Sequence, residues 1–158
     1  VATHRDPSQS SNQLADILTK DARLDVREPY QGETLSCTTI YVGAPADGVE
    51  VDGRQVHIDP VASNLERVTR IDELFRSAAE SAGKNAVGVV LSGALKDGVA
   101  GLQAIHKAGG KCLVQNPSDA PFKSMPENAI DAVDIDFVGT AAEIADRLVD
   151  LAADRSCE

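Results

Sequence analysis

The stretch Val87-Gly-Val-Val-Leu-Ser-Gly-Ala-Leu-Lys-Asp97-Gly-Val-Ala-Gly-Leu-Gln-Ala-Ile105 decides the fold. An apolar, β-branched run ends in a glycine-rich turn that carries one acid, and an amphipathic helical pattern begins directly after it. This is a strand, a tight turn and a helix. The turn lies at the carboxyl end of the strand, where open α/β sheets build their sites. Asp97 falls at the start of the helix, where a carboxylate caps free backbone N–H groups and is favoured by the helix dipole. Two readings stand side by side: a plain N-cap, or an acid that orients a catalytic base.

The same alternation extends outward. Upstream, Ile71, Leu74, Phe75, Ala78 and Ala82 form one helical face, with Asp72 and Glu73 in the first turn and Gly83 as the stop. Downstream come a strand at 111–115, a short helix opened by Ser124-Met-Pro126, and a strand at 135–138. A last helix follows, with Ile144, Leu148 and Leu151 inward; Thr140 and Glu143 have capping-box spacing at its start. Nearer the beginning, 1–3 reads as a short strand, 7–20 as a helix, and 24–28 and 38–42 as strands. Asp52-Gly53 between alternating segments signals a β-hairpin, to which His57 belongs as a half-exposed strand residue. The class is α/β: a doubly wound, mostly parallel sheet with helices on both faces and an inserted antiparallel hairpin.

The chain of 158 residues suits a single domain, with 42% hydrophobic and 25% charged residues. A formal net charge of -10 excludes a general nucleic-acid or anionic-membrane binder, which needs a basic patch. No apolar run is long enough to span a bilayer, and no signal peptide is visible, so neither membrane insertion nor export is expected. Cys37, Cys112 and Cys157 form no CxxC pair; Cys112 reads as a small core residue, and the set suits a reducing, cytoplasmic setting. His4, His57 and His106 are too scattered to suggest a metal site, and no cofactor is expected. The turn from Gly93 to Gly101 gives neither G-x-G-x-x-G nor a P-loop, which ranks nucleotide binding low.

Several motifs together resemble the catalytic domain of the chemotaxis protein-glutamate methylesterases, the CheB family. Leu91-Ser-Gly-Ala-Leu-Lys-Asp-Gly98 is similar to the family's [ST]-G-x-G-x-D-G turn, and Ser124-Met-Pro-Glu-Asn-Ala-Ile130 to its MP-x-x-AI segment. Ile40-Tyr-Val-Gly-Ala-Pro45 resembles its YIAP strand, and Val1-Ala-Thr-His4 the strand that ends in its histidine. The likeness covers almost the whole chain. It implies a Ser-His-Asp hydrolase that removes methyl groups from glutamates on the cytoplasmic helices of chemoreceptors, with glutamine deamidation as a related activity. It assigns His4 as general base, Asp97 as the acid that fixes its tautomer, and the Ala94 backbone N–H as an oxyanion donor. An N-terminal response-regulator domain in the parent protein is a further implication.

This sequence departs from the family at three places. The family's serine lies in a G-x-S-x-G-G-like turn before the histidine, and only three residues precede His4. The expectation is a single catalytic domain over 1–158 that lacks its first strand-turn-helix, with the serine outside the chain. Ser92 matches a different family position and is not a substitute; Ser8, Ser10 and Ser11 read as decoration of the first helix. Leu95 stands where the family has Gly, and Arg5 where it has Met after the histidine. These departures motivate the alternative, a catalytically inactive binding or regulatory module of the same fold.

Overall fold

A computed structural model describes residues 1–4, 11–60, 69–94 and 96–153. In chain order the elements are α1 (Gln13–Asp21), β1 (Asp25–Arg27), β2 (Thr39–Tyr41), β3 (Asp47–Asp52) and β4 (Gln55–Pro60). They continue with α2 (Arg70–Ala82), β5 (Val87–Val90), α3 (Val99–Lys107), β6 (Lys111–Gln115), α4 (Ser124–Ala132), β7 (Phe137–Gly139) and α5 (Ala141–Ala153).

The parallel strands form two separate sheets. β5, β6 and β7 lie side by side in that order, and β1 pairs with β2. β3 and β4 form the expected antiparallel hairpin, in register Asp52 to Gln55 across a turn in which Gly53 has φ +60. Among the described residues no strand pairs with the outer edge of β5. The segment 1–3 is not an independent strand, but it does run beside β2. The Val1 nitrogen donates to the Tyr41 carbonyl at 2.6 Å, and Gly43 N–H donates to the Val1 carbonyl at 3.0 Å. Two bonds flanking Val42 in this way are the pattern of a parallel pair.

The main core lies between β5, β6 and helices α2, α3 and α4. Val90, Leu102, Ile105, Cys112, Val114, Met125 and Ala129 fill it, with Ala2 packed against its margin. Leu102 and Ile105 are fully buried, and each such side chain contributes about 1.5–3 kcal/mol. Along β6 alternate residues point to opposite faces, yet Leu113 is as buried as Cys112 and Val114. That is the mark of a strand covered on both sides, and α5 packs on β6 and β7. A smaller core of Ala15, Val26 and Val42 lies between α1 and the β1–β2 pair.

Boundaries differ from expectation in places. The first helix is described from Gln13; 5–10, including Ser8 and Ser10, lie outside the described residues. The last strand starts at Phe137, later than expected; Asp136 just before it donates its N–H to the Cys112 carbonyl and turns its carboxylate to the Cys112 N–H and Lys111. Thr140 and Glu143 make the predicted capping box: Glu143 N–H donates to Thr140 Oγ1 and Thr140 N–H to the Glu143 carboxylate. On α5 Ile144 is buried, but Leu148 faces outward, since the short β7 offers little surface to cover a second helical turn. Cys37 is disulfide-bonded, a state that a reducing compartment does not favour. Cys112 is a free buried thiol, pushed up to about 11 by burial and by Asp136.

Candidate functional site

β5 ends at Val90, and the chain turns through 91–98 before α3 begins. Two braces hold this turn. Ser92 N–H donates to Gln115 Oε1 at 2.8 Å, and the buried Gln115 in turn donates to the Asp119 carboxylate at 2.8 Å. Gly93 N–H donates to the Phe122 carbonyl, while its own carbonyl accepts from Met125 N–H. A Cβ at Gly93 would lie 2.5 Å from Met125 Sδ, so a side chain there needs the Met125 thioether to move aside. Ser92 Oγ is used up structurally, accepting from Phe122 N–H at 2.9 Å. The Ala94 N–H follows directly on the exposed side of the turn and makes no hydrogen bond among the described residues.

Asp97 does not cap its own helix. Gly98, with φ +92, occupies the N-cap position of α3 and reverses the chain so that the Asp97 side chain points away from it. The carboxylate instead caps α2. Oδ2 accepts from Ile71 N–H at 3.0 Å and Oδ1 from Asp72 N–H at 2.9 Å. Those are second- and third-position amides of a helix whose own N-cap, Thr69, makes no side-chain cap bond to them.

The same oxygen, Oδ2, meets His4. His4 Nε2 lies 2.8 Å from it; the imidazole is 31% exposed and the Asp97 side chain is fully buried. The sequence separates these residues by most of the chain, and the fold brings them together. With Nε2 engaged by the carboxylate, Nδ1 is the ring nitrogen left to accept a proton. Burial pushes the Asp97 carboxyl above the ordinary range. The Ile71 and Asp72 amides pull it down, the Asp72 charge pushes it up, and His4 pulls it down.

Other residues singled out from sequence lie elsewhere. His57 is half-buried on β4, with Nδ1 3.2 Å from Gln31 Nε2. His106 is exposed near the end of α3. Leu95 and Arg5 lie outside the described residues. Among the described residues, no group of His, Cys, Asp or Glu is arranged to hold a metal ion, and no helix is long and apolar enough to cross a membrane. Sequence reading passed over Gln115 and Asp72 as functional supports. Gln115 sits at the end of a buried strand and Asp72 in a first helical turn, where a polar residue needs no special explanation.

A family model described as CheB methylesterase matches residues 1–148. The chain is 30% identical over 153 residues to a protein-glutamate methylesterase/protein-glutamine glutaminase of Pectobacterium atrosepticum, covering 94% of the chain and 44% of that protein. It is 30% identical over 146 residues to a putative protein of the same name from Leptospira interrogans, covering 91% and 75%. It is also 34% identical over 117 residues to an uncharacterized 104.1 kDa protein of Rhodobacter capsulatus, covering 74% and 12%. The chain thus spans less than half the length of the Pectobacterium and Rhodobacter relatives. In fold it is similar to the crystal structure of the Thermotoga maritima CheB methylesterase catalytic domain, with a TM-score of 0.83 at 24% identity over 94% of this chain and 80% of that one. By sequence match over nearly its whole length, the chain belongs to the CheB methylesterase family.

Proposed function

We propose that this chain supplies the base and the acid of a serine hydrolase that cleaves glutamate methyl esters on chemoreceptors, with deamidation of glutamine as the related reaction. The observation that carries the reading is the 2.8 Å contact between His4 Nε2 and Asp97 Oδ2. It joins a partly exposed imidazole to a buried carboxylate at the carboxyl end of the sheet.

In this reading the nucleophile is a serine outside residues 1–158, presented to His4 Nδ1. The imidazole takes the hydroxyl proton as Oγ adds to the ester carbonyl. Asp97 holds the tautomer and stabilises the imidazolium that forms. The carbonyl oxygen, now negative, is met by the Ala94 N–H. Collapse of the tetrahedral intermediate breaks the C–O bond to the methyl group's oxygen, His4 returns the proton, and methanol leaves. Water then adds to the acyl-serine by the same route, releasing the glutamate carboxylate and restoring the serine. Ser92 is a poor candidate for the nucleophile because its Oγ already serves Phe122 N–H.

The partner is the cytoplasmic helical region of a methyl-accepting chemoreceptor, and the parent protein carries a response-regulator domain that controls access. The location is the cytoplasm. A disulfide at Cys37 is unusual there, so counting free thiols on protein taken from cells tests the location separately.

The experiment is methanol release from a methylated receptor fragment by the full gene product, beside the same protein carrying His4→Ala. Release that the substitution abolishes supports the reading. Absence of release from the unaltered full product overturns it and leaves the inactive binding module in its place.

A further inference from the structure

Past the end of β5 the backbone amides of Ser92, Gly93 and Ala94 follow one another, and the first two are tied. Ser92 N–H donates to Gln115 Oε1 at 2.8 Å and Gly93 N–H to the Phe122 carbonyl at 3.0 Å. The Ala94 N–H makes no hydrogen bond among the described residues, so its direction is set by how firmly the two before it are held. Phe122 offers a backbone carbonyl, which cannot reverse. Gln115 offers a side-chain amide, which can: turned over about its last bond, it presents NH2 in place of oxygen.

Asp119 opposes that reversal. Gln115 Nε2 donates to Asp119 Oδ2 at 2.8 Å and lies 3.5 Å from the Asp119 carbonyl oxygen. A reversed amide would set its oxygen against the carboxylate and its NH2 against Ser92 N–H, acceptor facing acceptor and donor facing donor. The carboxylate is fixed in its turn, because Oδ2 also accepts from Ala141 N–H, in the first turn of α5, at 3.1 Å. The Gln115 bond first, then the Ala141 amide, outweigh burial and hold the Asp119 carboxyl below the ordinary range, so the group is an ionised acceptor at neutral pH. Gln115 itself is buried at the end of an apolar strand, where an amide is costly unless both its ends are bonded. We infer that Gln115 is a positioning residue for the Ala94 N–H, and that Asp119 selects the amide orientation in which it acts. This inference rests on the reading of the Ala94 N–H as oxyanion donor in the proposed hydrolysis.

Exchanging the polarity of the pair in the full gene product tests it. Gln115→Glu alone sets two carboxylates against each other. Combined with Asp119→Asn, it regains every bond with the charge moved across: the carboxylate at 115 accepts from Ser92 N–H and from the NH2 at 119, whose oxygen remains for Ala141 N–H. Gln115→Glu is expected to lower kcat for methanol release from a methylated receptor fragment by about 10–10²-fold, with KM held within about twofold. The double variant is expected to recover most of that loss. NMR of the Ser92 and Ala94 backbone amides reports the turn without turnover; both resonances should move in Gln115→Glu and return in the double variant. If Gln115→Glu does not fold, Asp119→Ala frees the amide to reverse without adding a charge, and the same fall in kcat and shift at Ala94 are expected of it. Unchanged kcat with an unmoved Ala94 resonance overturns the inference. So does a double variant that regains the thermal midpoint and not kcat. Failure of the underlying reading looks different: the unaltered full product releases no methanol, while the Ser92 and Ala94 resonances still follow the exchange of polarity.

Discussion

The two halves of the His4–Asp97 pair are supported by different kinds of structure. Asp97 stands on the β5–β6–β7 side, where the core is continuous and apolar, and its carboxylate is fixed by two amides and the imidazole. His4 is reached from the other side. Its strand-like lead is tied to β2 by two backbone bonds, with Ala2 packed against the margin of the main core, and the β1–β2 pair rests on a small core of Ala15, Val26 and Val42. That side relies on buried polar groups. Asn12 holds the Val42 and Gly43 carbonyls, Arg27 pairs with the buried Glu33, and Arg70 reaches the Pro45 carbonyl. The contrast teaches where precision is built in. The carboxylate is part of the scaffold, while the imidazole is attached to it and partly open to solvent.

The strongest way to break this comparison is to remove each partner in turn. His4→Ala in the full gene product is expected to lower kcat by about 10²–10⁴, with little change in thermal midpoint. Asp97→Asn should cost turnover within the same order, about 10²–10⁴, through the loss of charge and tautomer control. Asp97→Ala adds a folding defect of about 1–3 kcal/mol, because two helix-start amides lose their acceptor. Urea unfolding beside turnover checks the set. Equal stability of the Asn and Ala variants would refute the scaffold role.

Gly101→Ala sharpens the same point from the partner helix. The added methyl meets Phe75 and the Asp72 backbone, so a loss of about 1–3 kcal/mol is expected, although alanine is the better helix former. A variant as stable as the original would mean that α2 and α3 are free to move apart.

The smallest expected effect is in the pH dependence of stability, where the sign separates Asp97 from an ordinary ion pair. Burial first, then the Asp72 charge, outweigh the amides and His4 and leave the Asp97 carboxyl raised. The native state therefore holds this proton more tightly than the unfolded chain. Its contribution to stability is complete below the unfolded value, about 3.9, and is lost as pH rises through the folded value. Asp136 runs the other way. Burial opposes ionisation, but the Lys111 bond and the Cys112 amide prevail and leave it lowered. Its contribution is present above about pH 3.9 and is lost as pH falls through the folded value. Urea midpoints across the acid range should show Asp97→Asn gaining on the unaltered chain as pH rises. Parallel curves would contradict the assignment.

What the sequence made legible was local. The strand-turn-helix around Asp97, the Asp52-Gly53 hairpin, the Gly83 stop and the Thr140–Glu143 capping box each depend on neighbours a few residues away, so their chemistry can be read in order. The helix that Asp97 caps could not be read this way. Its position predicted a cap on the helix that follows, but Gly98 turns the carboxylate onto a helix that precedes it by more than twenty residues. The division of the parallel strands into two sheets was likewise hidden, because periodicity marks a strand and not its partners. The outward face of Leu148 depends on how little sheet lies beneath it, which no helical pattern records.

The carboxylate that caps α2 has a bearing on how relatives of this chain are judged. A chain that lost its enzymatic role would still be under selection to keep Asp97, since folding alone demands an acceptor at that place. Its persistence in a descendant therefore says little about turnover. Among the described residues His4 bonds to Asp97 alone, and it owes the scaffold far less. In a lineage drifting away from hydrolysis, the histidine should disappear first, and its presence or absence is the marker to read.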